Sequence, residues 1–276
     1  MSVVLHVSDP HFGTEVTAVT DALQQLVRVQ KPDMVVLSGD ITQRARRGQF
    51  RAARRFVDRL AVPSVLVLPG NHDIPLFNVI ARVFFPYANY QRAFGADLHP
   101  NFASEDLLVV GVNTTRPYRH IDGEISAEQI HQVAVRLREA APRQLRMVVT
   151  HQPVYVTRPE DEKNLLHGYQ HAVRAWAQAG ADLFLGGHIH LPYVCPLRQH
   201  LHDLPRRVWV VQAGTAVSTR IRWGAPNSIN LIRYVHADTP RRCVVERWDY
   251  QASVRCFELV QSTGIQLDGN LEPLSF

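Results

Sequence analysis

The sequence predicts a layered α/β fold with mixed β-sheets. Over the first part of the chain, short apolar runs alternate with amphipathic helical patterns, whereas from Arg207 to Val260 the pattern turns to strands alone. Polar residues cluster directly after the apolar runs, as they do where a site collects at the carboxyl edge of a sheet. Alternating strands and helices followed by further strands indicate helices layered on sheets with more than one strand direction.

Six strands are predicted in the alternating part, because each is a short apolar run bounded by polar or turn-forming residues. The runs "RVWVVQ", "SINLIRYV" and "CVVERW" predict the strands of the last part. The six predicted strands of the alternating part are Val3–Val7, Met34–Leu37, Ser64–Leu68, Leu107–Val112, Leu145–Val149 and Leu183–Leu185.

Four helices are predicted between these strands. The first has Val16, Val19, Leu23 and Leu26 on one face, at the spacing of a helix that packs on one side. The third predicted helix begins with Ser126 and has Gln129 three residues later, which is a capping-box pattern. The four helices are Glu15–Gln30, Gln49–Leu60, Ser126–Ala140 and Tyr169–Ala179.

Composition is that of an ordinary soluble protein. The chain has 276 residues, of which 46% are hydrophobic and 20% charged, and we expect a single domain over residues 1–276. No apolar run approaches the length of a membrane span, so no membrane partner is expected. The three cysteines form no CxxC pair, which disfavours a disulfide framework or a cysteine-based zinc site and favours a cytoplasmic, reducing location.

The charge balance is basic. The formal net charge is +5, and all the basic residues except Lys31 and Lys163 are arginines. A polyanionic partner such as nucleic acid is therefore compatible with the sequence, but not favoured, because a strong bias of Arg over Lys often reflects genome composition.

Five short motifs place metal-ligating residue types directly after predicted strands. They are "DPH", "GD", "GNHD", "TH" and "GHIH", in this order along the chain. In the last motif two histidines stand one residue apart, so in extended backbone both imidazoles lie on one side. Imidazole and carboxylate groups are ligands of divalent metals such as Zn, Fe and Mn. The motif residues are Asp9, His11, Asp40, Asn71, His72, Asp73, His151, His188 and His190.

In this order the motifs resemble those of the calcineurin-like metallophosphoesterases. The stretch from "GDITQRARRGQF" to "VLPGNHDI" is most similar to the bacterial class III cyclic-nucleotide phosphodiesterase group. The resemblance spans about residues 3 to 190 and implies a four-layer α/β/β/α sandwich that holds two metal ions. It implies that Asp40 bridges the two metals and that His72 lies beside the substrate without binding metal. It assigns Asp9, His11, Asp40 and His190 to the first metal and Asp40, Asn71, His151 and His188 to the second.

The chemistry of such a site agrees with phosphoester hydrolysis. Two cations about 3.5–4 Å apart hold both the attacking and the leaving oxygens of an in-line displacement, and they lower the pKa of water to near neutrality. His72 can protonate the leaving oxygen or stabilise charge on phosphorus, and Asp73 is a candidate to orient it. We therefore expect a dinuclear phosphodiesterase of small phosphoesters, cyclic nucleotides among them, with Mn, Fe or Zn as metals.

Three alternatives stay open. Phosphomonoesterase activity is disfavoured, because the family's Ser/Thr phosphatases carry Asp-Arg-Gly shortly after Gly-Asp, where this chain has Ile41, Thr42 and Gln43. A nucleotide-sugar or lipid pyrophosphatase is disfavoured less strongly. The lipid A branch of the family replaces the motif histidine with arginine, whereas this chain has His72. A metal-free binding scaffold on the same fold is disfavoured by the complete ligand set.

Several residues outside the motifs have two interpretations. Arg116 follows a predicted strand and is a candidate substrate ligand, while Arg220 and Arg222 lie in a loop that is either a rim or a support. "QHLHDLP" is more typical of a solvated turn than of a second metal site. A cluster of arginines is more typical of a solvated helix face than of an anion-binding surface. Its members are Arg44, Arg46, Arg47, Arg51, Arg54, Arg55 and Arg59.

Overall fold

The computed structural model describes residues 1–222 and 224–268. Its strands are β1 (Ser2–Val7), β2 (Met34–Leu37), β3 (Ser64–Val67), β4 (Asn101–Ala103), β5 (Leu107–Gly111), β6 (Leu145–Val149), β7 (Leu183–Gly186), β8 (Tyr193–Pro196), β9 (Trp209–Gln212), β10 (Ser228–Tyr234), β11 (Arg242–Gln251) and β12 (Cys256–Gln266). Its α-helices are α1 (Thr17–Gln30), α2 (Arg47–Leu60), α3 (Val79–Phe84), α4 (Ala88–Phe94), α5 (Ala127–Arg138) and α6 (Tyr169–Ala179).

The strands form two six-stranded mixed sheets. The first has the order β12-β11-β10-β1-β2-β3, in which β1, β2 and β3 run parallel and the other neighbours run antiparallel. The second has the order β4-β5-β6-β7-β9-β8, with β5, β6, β7 and β9 parallel and the edge strands β4 and β8 antiparallel. The prediction of mixed sheets is confirmed.

The two sheets pack face to face, and helices cover their outer faces. Val4 of β1 belongs to the apolar layer between the sheets together with Met147 of β6. The neighbouring Leu5 points to the opposite face, as the period of a strand requires, and packs with Leu23 of α1. On the far side Trp176 of α6 packs with the outer face of the second sheet. The result is the expected α/β/β/α sandwich.

The predicted elements are present with small shifts at their ends. β2, β6 and α6 have the predicted bounds, and the capping box of α5 is formed, with Ser126 accepting from the Gln129 backbone at 3.2 Å. α1 begins at Thr17 instead of Glu15, because Glu15 forms a β-bridge with Ser218 and its carboxylate accepts a hydrogen bond from the Gly13 backbone.

Other elements were not predicted. α3, α4, β4 and β8 have three to seven residues each, too short to give a periodic pattern. The strand region also extends beyond Val260, because β12 pairs with β11 over its full length, from Gln251 opposite Cys256 to Arg242 opposite Gln266. The predicted C-terminal limit of the strands was therefore too early.

Candidate metal centre

The predicted ligands meet at one edge of the sandwich. The parallel strands of each sheet end at this edge, and each ligand follows such a strand within a few residues. Among the described residues, every group of three or more closely placed His, Cys, Asp or Glu ligand atoms belongs to this site. The structure thus brings together Asp9 and His11 after β1, Asp40 after β2, Asn71 after β3, His151 after β6, and His188 and His190 after β7.

The first subsite consists of Asp9, His11 and His190. The Nε2 atom of His190 lies 3.2 Å from Oδ1 of Asp9, and Nε2 of His11 lies 3.8 Å from the same oxygen. The two Nε2 atoms are only 3.1 Å apart. Burial lowers the pKa of His11 to about 3, which keeps its imidazole neutral, the form that ligates metals.

The second subsite consists of Asp40, Asn71, His151 and His188. Nε2 of His151 lies 3.3 Å from Oδ1 of Asp40 and 3.2 Å from Oδ1 of Asn71. Burial lowers the pKa of His188 to about 3 and leaves this ring neutral too. Burial also acts to lower the pKa of His151, but the Asp40 carboxylate outweighs it and raises that pKa to about 9. The carboxylate therefore favours a cation at this position.

Asp40 lies between the two subsites. Its Oδ2 atom is 3.7 Å from Nε2 of His11, whereas Oδ1 faces Nε2 of His151. Only 2% of this residue is exposed. Because each carboxylate oxygen faces a different group of ligands, the geometry is that of a bridging carboxylate.

The donor set fits two metal ions. Nδ1 of His188 is buried and has no hydrogen-bond partner. A buried polar atom without a partner is costly, and a bound cation would remove that cost. Two carboxylates, one amide oxygen and four imidazoles suit Zn, Fe or Mn. The residues present are therefore the ones that such a centre needs.

Backbone carbonyls orient the histidine ligands. Nδ1 of His151 lies 2.9 Å from the Ser38 carbonyl, and Nδ1 of His190 lies 2.6 Å from the Arg220 carbonyl. A carbonyl accepts only from a protonated nitrogen, so Nδ1 carries a proton in both rings, and Nε2, which faces the centre, is the nitrogen that would bind a metal after losing any proton of its own. Asn71 is oriented in the same way, since its Nδ2 donates to the His120 carbonyl at 3.2 Å and leaves Oδ1 facing His151.

Backbone strain concentrates at the ligands. Among the described non-glycine residues, nine have positive φ, and five of the nine are ligands: Asp9, His11, Asp40, His188 and His190. Such conformations cost on the order of 1–3 kcal/mol each and persist where the surrounding structure fixes them. Gly187 is required for a steric reason and not for a positive φ. A Cβ at this position would lie 1.8 Å from Ser8 Oγ and 2.4 Å from Asp9 Oδ2. This explains the glycine directly before His188.

His72 lines an open cleft of about 540 Å³ above the centre. Its Nδ1 lies 3.0 Å from the Gln43 carbonyl, and Nη1 of Arg220 lies 3.0 Å from its Nε2. His72 is close enough to His11 and Asp40 to count as a ligand by distance alone. The guanidinium beside Nε2 disfavours a second cation on that nitrogen, and the role of His72 beside the substrate stays a prediction.

Arg220 is the site residue that the sequence did not assign. Besides His72 it contacts Oε1 of Gln43 at 3.3 Å, and it lines the cleft together with Lys163 and Arg222. Arg222 is neutralised by the buried Asp161, with Nη1 at 2.8 Å and 2.9 Å from the two carboxylate oxygens. The signal for Arg220 was its place after β9, a parallel strand that ends at the same edge as the ligand-bearing strands.

Asp73 lies at the base of the site and not in the cleft. Its carboxylate accepts hydrogen bonds from the backbone of Ile41, Thr42 and Gly70 at 2.8–2.9 Å and from the Thr42 hydroxyl at 2.8 Å. Burial, followed by the charge of Asp40, raises the pKa of Asp73 to about 7 against the opposing effect of these bonds. These bonds join the "GD" and "GNHD" loops, and none of them reaches the His72 ring, so the expected orienting contact is not formed.

Arg116 is not brought to the cleft either. Its guanidinium donates to Gln129 at 2.5 Å and to the Thr115 carbonyl at 3.0 Å, which ties the strand end to the start of α5. The structure gives the predicted substrate ligand a different set of contacts.

The remaining polar clusters are surface features. His200 and His202 are exposed, and Asp203 pairs with Arg174 at 2.5 Å, as in the predicted solvated turn. The arginines between positions 44 and 59 are all exposed along α2 and the loop before it, as both a solvated helix face and an anion-binding surface require.

Two packed mixed sheets, with Asp40 between two groups of candidate metal ligands at their common edge, are the arrangement expected of a metallophosphoesterase. The chain belongs to the calcineurin-like phosphoesterase family, whose sequence model matches residues 2–192. Within the described residues, no helix is both long and apolar enough to cross a membrane.

Individual relatives are distant. A probable cyclic nucleotide phosphodiesterase from Synechococcus sp. is 24% identical over 171 residues, which cover 61% of this chain and 62% of the relative. A glycerophosphodiester phosphodiesterase from Enterobacter lignolyticus is 34% identical over 79 residues, 25% of this chain and 28% of the relative. Both matches span less than two thirds of the relative's length. A dimetal phosphatase from Danio rerio shares the fold, with a TM-score of 0.69 at 14% identity, over 97% of this chain and 99% of that one.

Proposed function

We propose that this protein is a metal-dependent phosphodiesterase that hydrolyses small phosphodiesters with two ions drawn from Mn, Fe or Zn. The observation that carries the proposal is the placement of the two Asp40 oxygens toward different ligand groups, with His72 beside them in an open cleft. By family resemblance, 3′,5′- and 2′,3′-cyclic nucleotides are the first natural substrates to test.

Each group has a distinct task. Bound metal ions would neutralise charge on the phosphoryl oxygens and lower the pKa of the attacking water. Asp40 holds the two subsites in register, and the neutral imidazoles of His11 and His188 keep their lone pairs available. Asn71 presents its amide oxygen to the centre, because its nitrogen is held by the His120 carbonyl.

His72 and Arg220 act on the substrate side. The Arg220 guanidinium lies against Nε2 of His72, with Nη1 at 3.0 Å. A phosphate group entering the cleft gives Arg220 a better partner, a non-bridging anionic oxygen. His72, once protonated at Nε2, donates that proton to the leaving oxygen as its bond to phosphorus breaks, and water supplies the new oxygen on phosphorus. His72 then regains a proton from solvent.

Three observations support a diester preference. The sequence lacks Asp-Arg-Gly after Gly-Asp, the arginine-bearing motif of the phosphatase branch. The two relatives named above are described as phosphodiesterases. The cleft wall also includes Ile121 and Ile221, so it has apolar surface for the second ester arm. The competing activity is phosphomonoesterase, which Arg220 favours because a guanidinium suits a phosphate dianion.

We expect bis(p-nitrophenyl) phosphate to have a higher kcat/KM than p-nitrophenyl phosphate. A diester can place its second ester arm against the apolar part of the cleft wall, and this contact, which the monoester lacks, raises kcat/KM where it persists in the transition state. The measurement is kcat/KM for both esters on one metal-loaded preparation. A clear preference for the monoester would assign the protein to the phosphomonoesterases and leave the metal ligands unchanged.

Replacing Arg220 with glutamine is expected to lower kcat/KM for the diester by about 10²–10³-fold, the effect of losing one donor to a developing negative charge. The carbonyl that holds His190 belongs to the backbone and stays in place, so both metals should remain bound. Elemental analysis and steady-state kinetics test this, with Arg255→Gln, in an exposed turn, as the control. Unchanged kcat/KM would remove Arg220 from the mechanism.

A further inference from the structure

The stretch from Phe77 to Phe85 exposes an apolar surface beside the cleft. Its six large apolar side chains, those of Phe77, Val79, Ile80, Val83, Phe84 and Phe85, are 60–79% exposed. Monomeric soluble proteins rarely leave a large contiguous apolar patch in water, and such patches mark interaction sites.

The apolar residues of α3 share one face of the helix. Val79 and Val83 are four residues apart, as are Ile80 and Phe84, so the four side chains form one strip. Arg82 lies on the opposite, buried face, where its guanidinium donates to the Pro75 and Arg119 carbonyls. The helix is therefore anchored by its polar side and presents its apolar side outward.

The surroundings of this face are basic. Residues 74–96 contain no Asp or Glu, and residues 44–59 contain seven arginines and one acidic residue, Asp58. α2 packs against α4, which follows α3 directly, and the Arg44 guanidinium lies 5.3 Å from the centroid of the Phe77 ring. Apolar and basic surfaces are thus neighbours on one side of the molecule.

The apolar surface also extends toward the cleft. The Arg119 carbonyl that holds Arg82 belongs to a loop in which Tyr118 and Ile121 are more than half exposed. Ile121 lines the cleft, and so does Ile221 on the other wall, which is equally exposed. A flat surface that covers α3 would therefore lie next to the mouth of the active site.

We propose that this surface, formed by α3, the 118–121 loop and the arginines of residues 44–59, binds an anionic lipid bilayer. An apolar helix face flanked by Lys or Arg lies in the headgroup region of a membrane, with its apolar side chains among the upper acyl carbons and its cations on lipid phosphates. This proposal replaces the expectation from sequence that the chain has no membrane partner, and it is independent of the substrate preference proposed above.

Charge complementarity favours a bilayer over a second copy of the chain. In a symmetric dimer through α3, the two arginine-rich faces would approach each other, and the region supplies only Asp58 to offset them. Exposed arginines instead gain binding energy from anionic headgroups, an interaction that falls as salt is raised.

The experiment is co-sedimentation of the metal-loaded protein with vesicles of phosphatidylcholine alone and of phosphatidylcholine mixed with phosphatidylglycerol. The test variants are Ile80→Asp with Phe84→Asp, and Arg44→Glu with Arg47→Glu. The controls are Val254→Asp, at another exposed apolar position, in the β11–β12 turn, and Arg138→Glu at the end of α5. Hydrolysis of bis(p-nitrophenyl) phosphate in solution and circular dichroism check that each variant is folded, and Phe84→Ser serves if the double aspartate variant is not.

We expect wild type and both controls to bind the phosphatidylglycerol vesicles and not pure phosphatidylcholine at low salt. Each test variant should lose roughly tenfold or more in partition coefficient. Equal binding to both kinds of vesicle, binding to neither, or unaffected variants would overturn the proposal. So would a wild-type dimer that Ile80→Asp with Phe84→Asp converts to monomer without any vesicle binding, because the surface would then join two copies. A wild type that binds vesicles but hydrolyses no diester would refute the proposed function alone.

Discussion

Replacing Asp40 with alanine is expected to release both metal ions and to abolish hydrolysis. Among the described residues, Asp40 is the carboxylate whose two oxygens face both subsites, at 3.7 Å from His11 and 3.3 Å from His151. Its loss also removes the charge that holds a cation beside His151, whose pKa it raises to about 9 against the effect of burial. Without bound metal, the pKa of water returns from about 7 toward about 15.7, so the nucleophile is lost at neutral pH.

Elemental analysis of the purified protein after exposure to excess Mn²⁺ tests this directly. Wild type should hold two metal ions per chain, and Asp40→Ala well below one. Asp40→Asn keeps the shape but not the charge and should fall between them, while Asp58→Ala, on the exposed face of α2, should match wild type. A wild type that binds one ion or none would refute the dinuclear centre, whatever its activity.

The ligand positions could be predicted from sequence because their geometry follows from the chain's own periodicity. Asp9, Asp40 and His151 each follow an apolar run, and parallel strands deliver their ends to one edge of a sheet. The spacing of His188 and His190 added a second constraint. What the sequence did not reveal was the strain, since positive φ at these residues is imposed by tertiary packing and not by local residue preference.

The roles of residues that depend on side-chain direction were harder to predict from the sequence. Asp73 stands next to His72 in sequence, yet its carboxylate turns away to the backbone of Ile41 and Thr42, because adjacent side chains need not share a direction. Arg220 lies 30 residues beyond the last motif and reaches His72 only through the fold. Arg116 follows the predicted strand β5, but Gln129 of the capping box binds its guanidinium before it can reach the cleft.

The exposure of α3 is a further feature that the sequence alone could not predict. Apolar residues from Phe77 to Phe85 are what a buried element would contain, and only the structure shows that this face has no partner among the described residues. A six-residue helix also gives less than two turns, so its amphipathic pattern is too short to register. Burial is a property of the whole fold, and a local pattern does not determine it.

Replacing His72 with alanine is expected to leave both metals bound and to lower kcat by roughly 10²–10⁴-fold for esters with poor leaving groups. Metal binding should persist because Nδ1 of His72 donates to the Gln43 carbonyl and Nε2 faces the Arg220 guanidinium, so neither nitrogen is committed to the centre. The rate should fall because an alkoxide is a poor leaving group unless a proton reaches it as the bond to phosphorus breaks.

The dependence on leaving group separates this role from a general structural one. A p-nitrophenolate ion leaves with little need of a proton, so the loss for bis(p-nitrophenyl) phosphate should be much smaller than for an alkyl ester or a cyclic nucleotide. The measurement is kcat for a series of diesters with leaving groups of increasing pKa, on wild type and His72→Ala with metal content determined on the same samples. The slope of log kcat against leaving-group pKa should become steeper in the variant, since wild type offsets poor leaving groups by protonation. A uniform loss across the series would assign His72 to charge stabilisation instead, and loss of metal from His72→Ala would make it a ligand, as its distance to His11 and Asp40 allows.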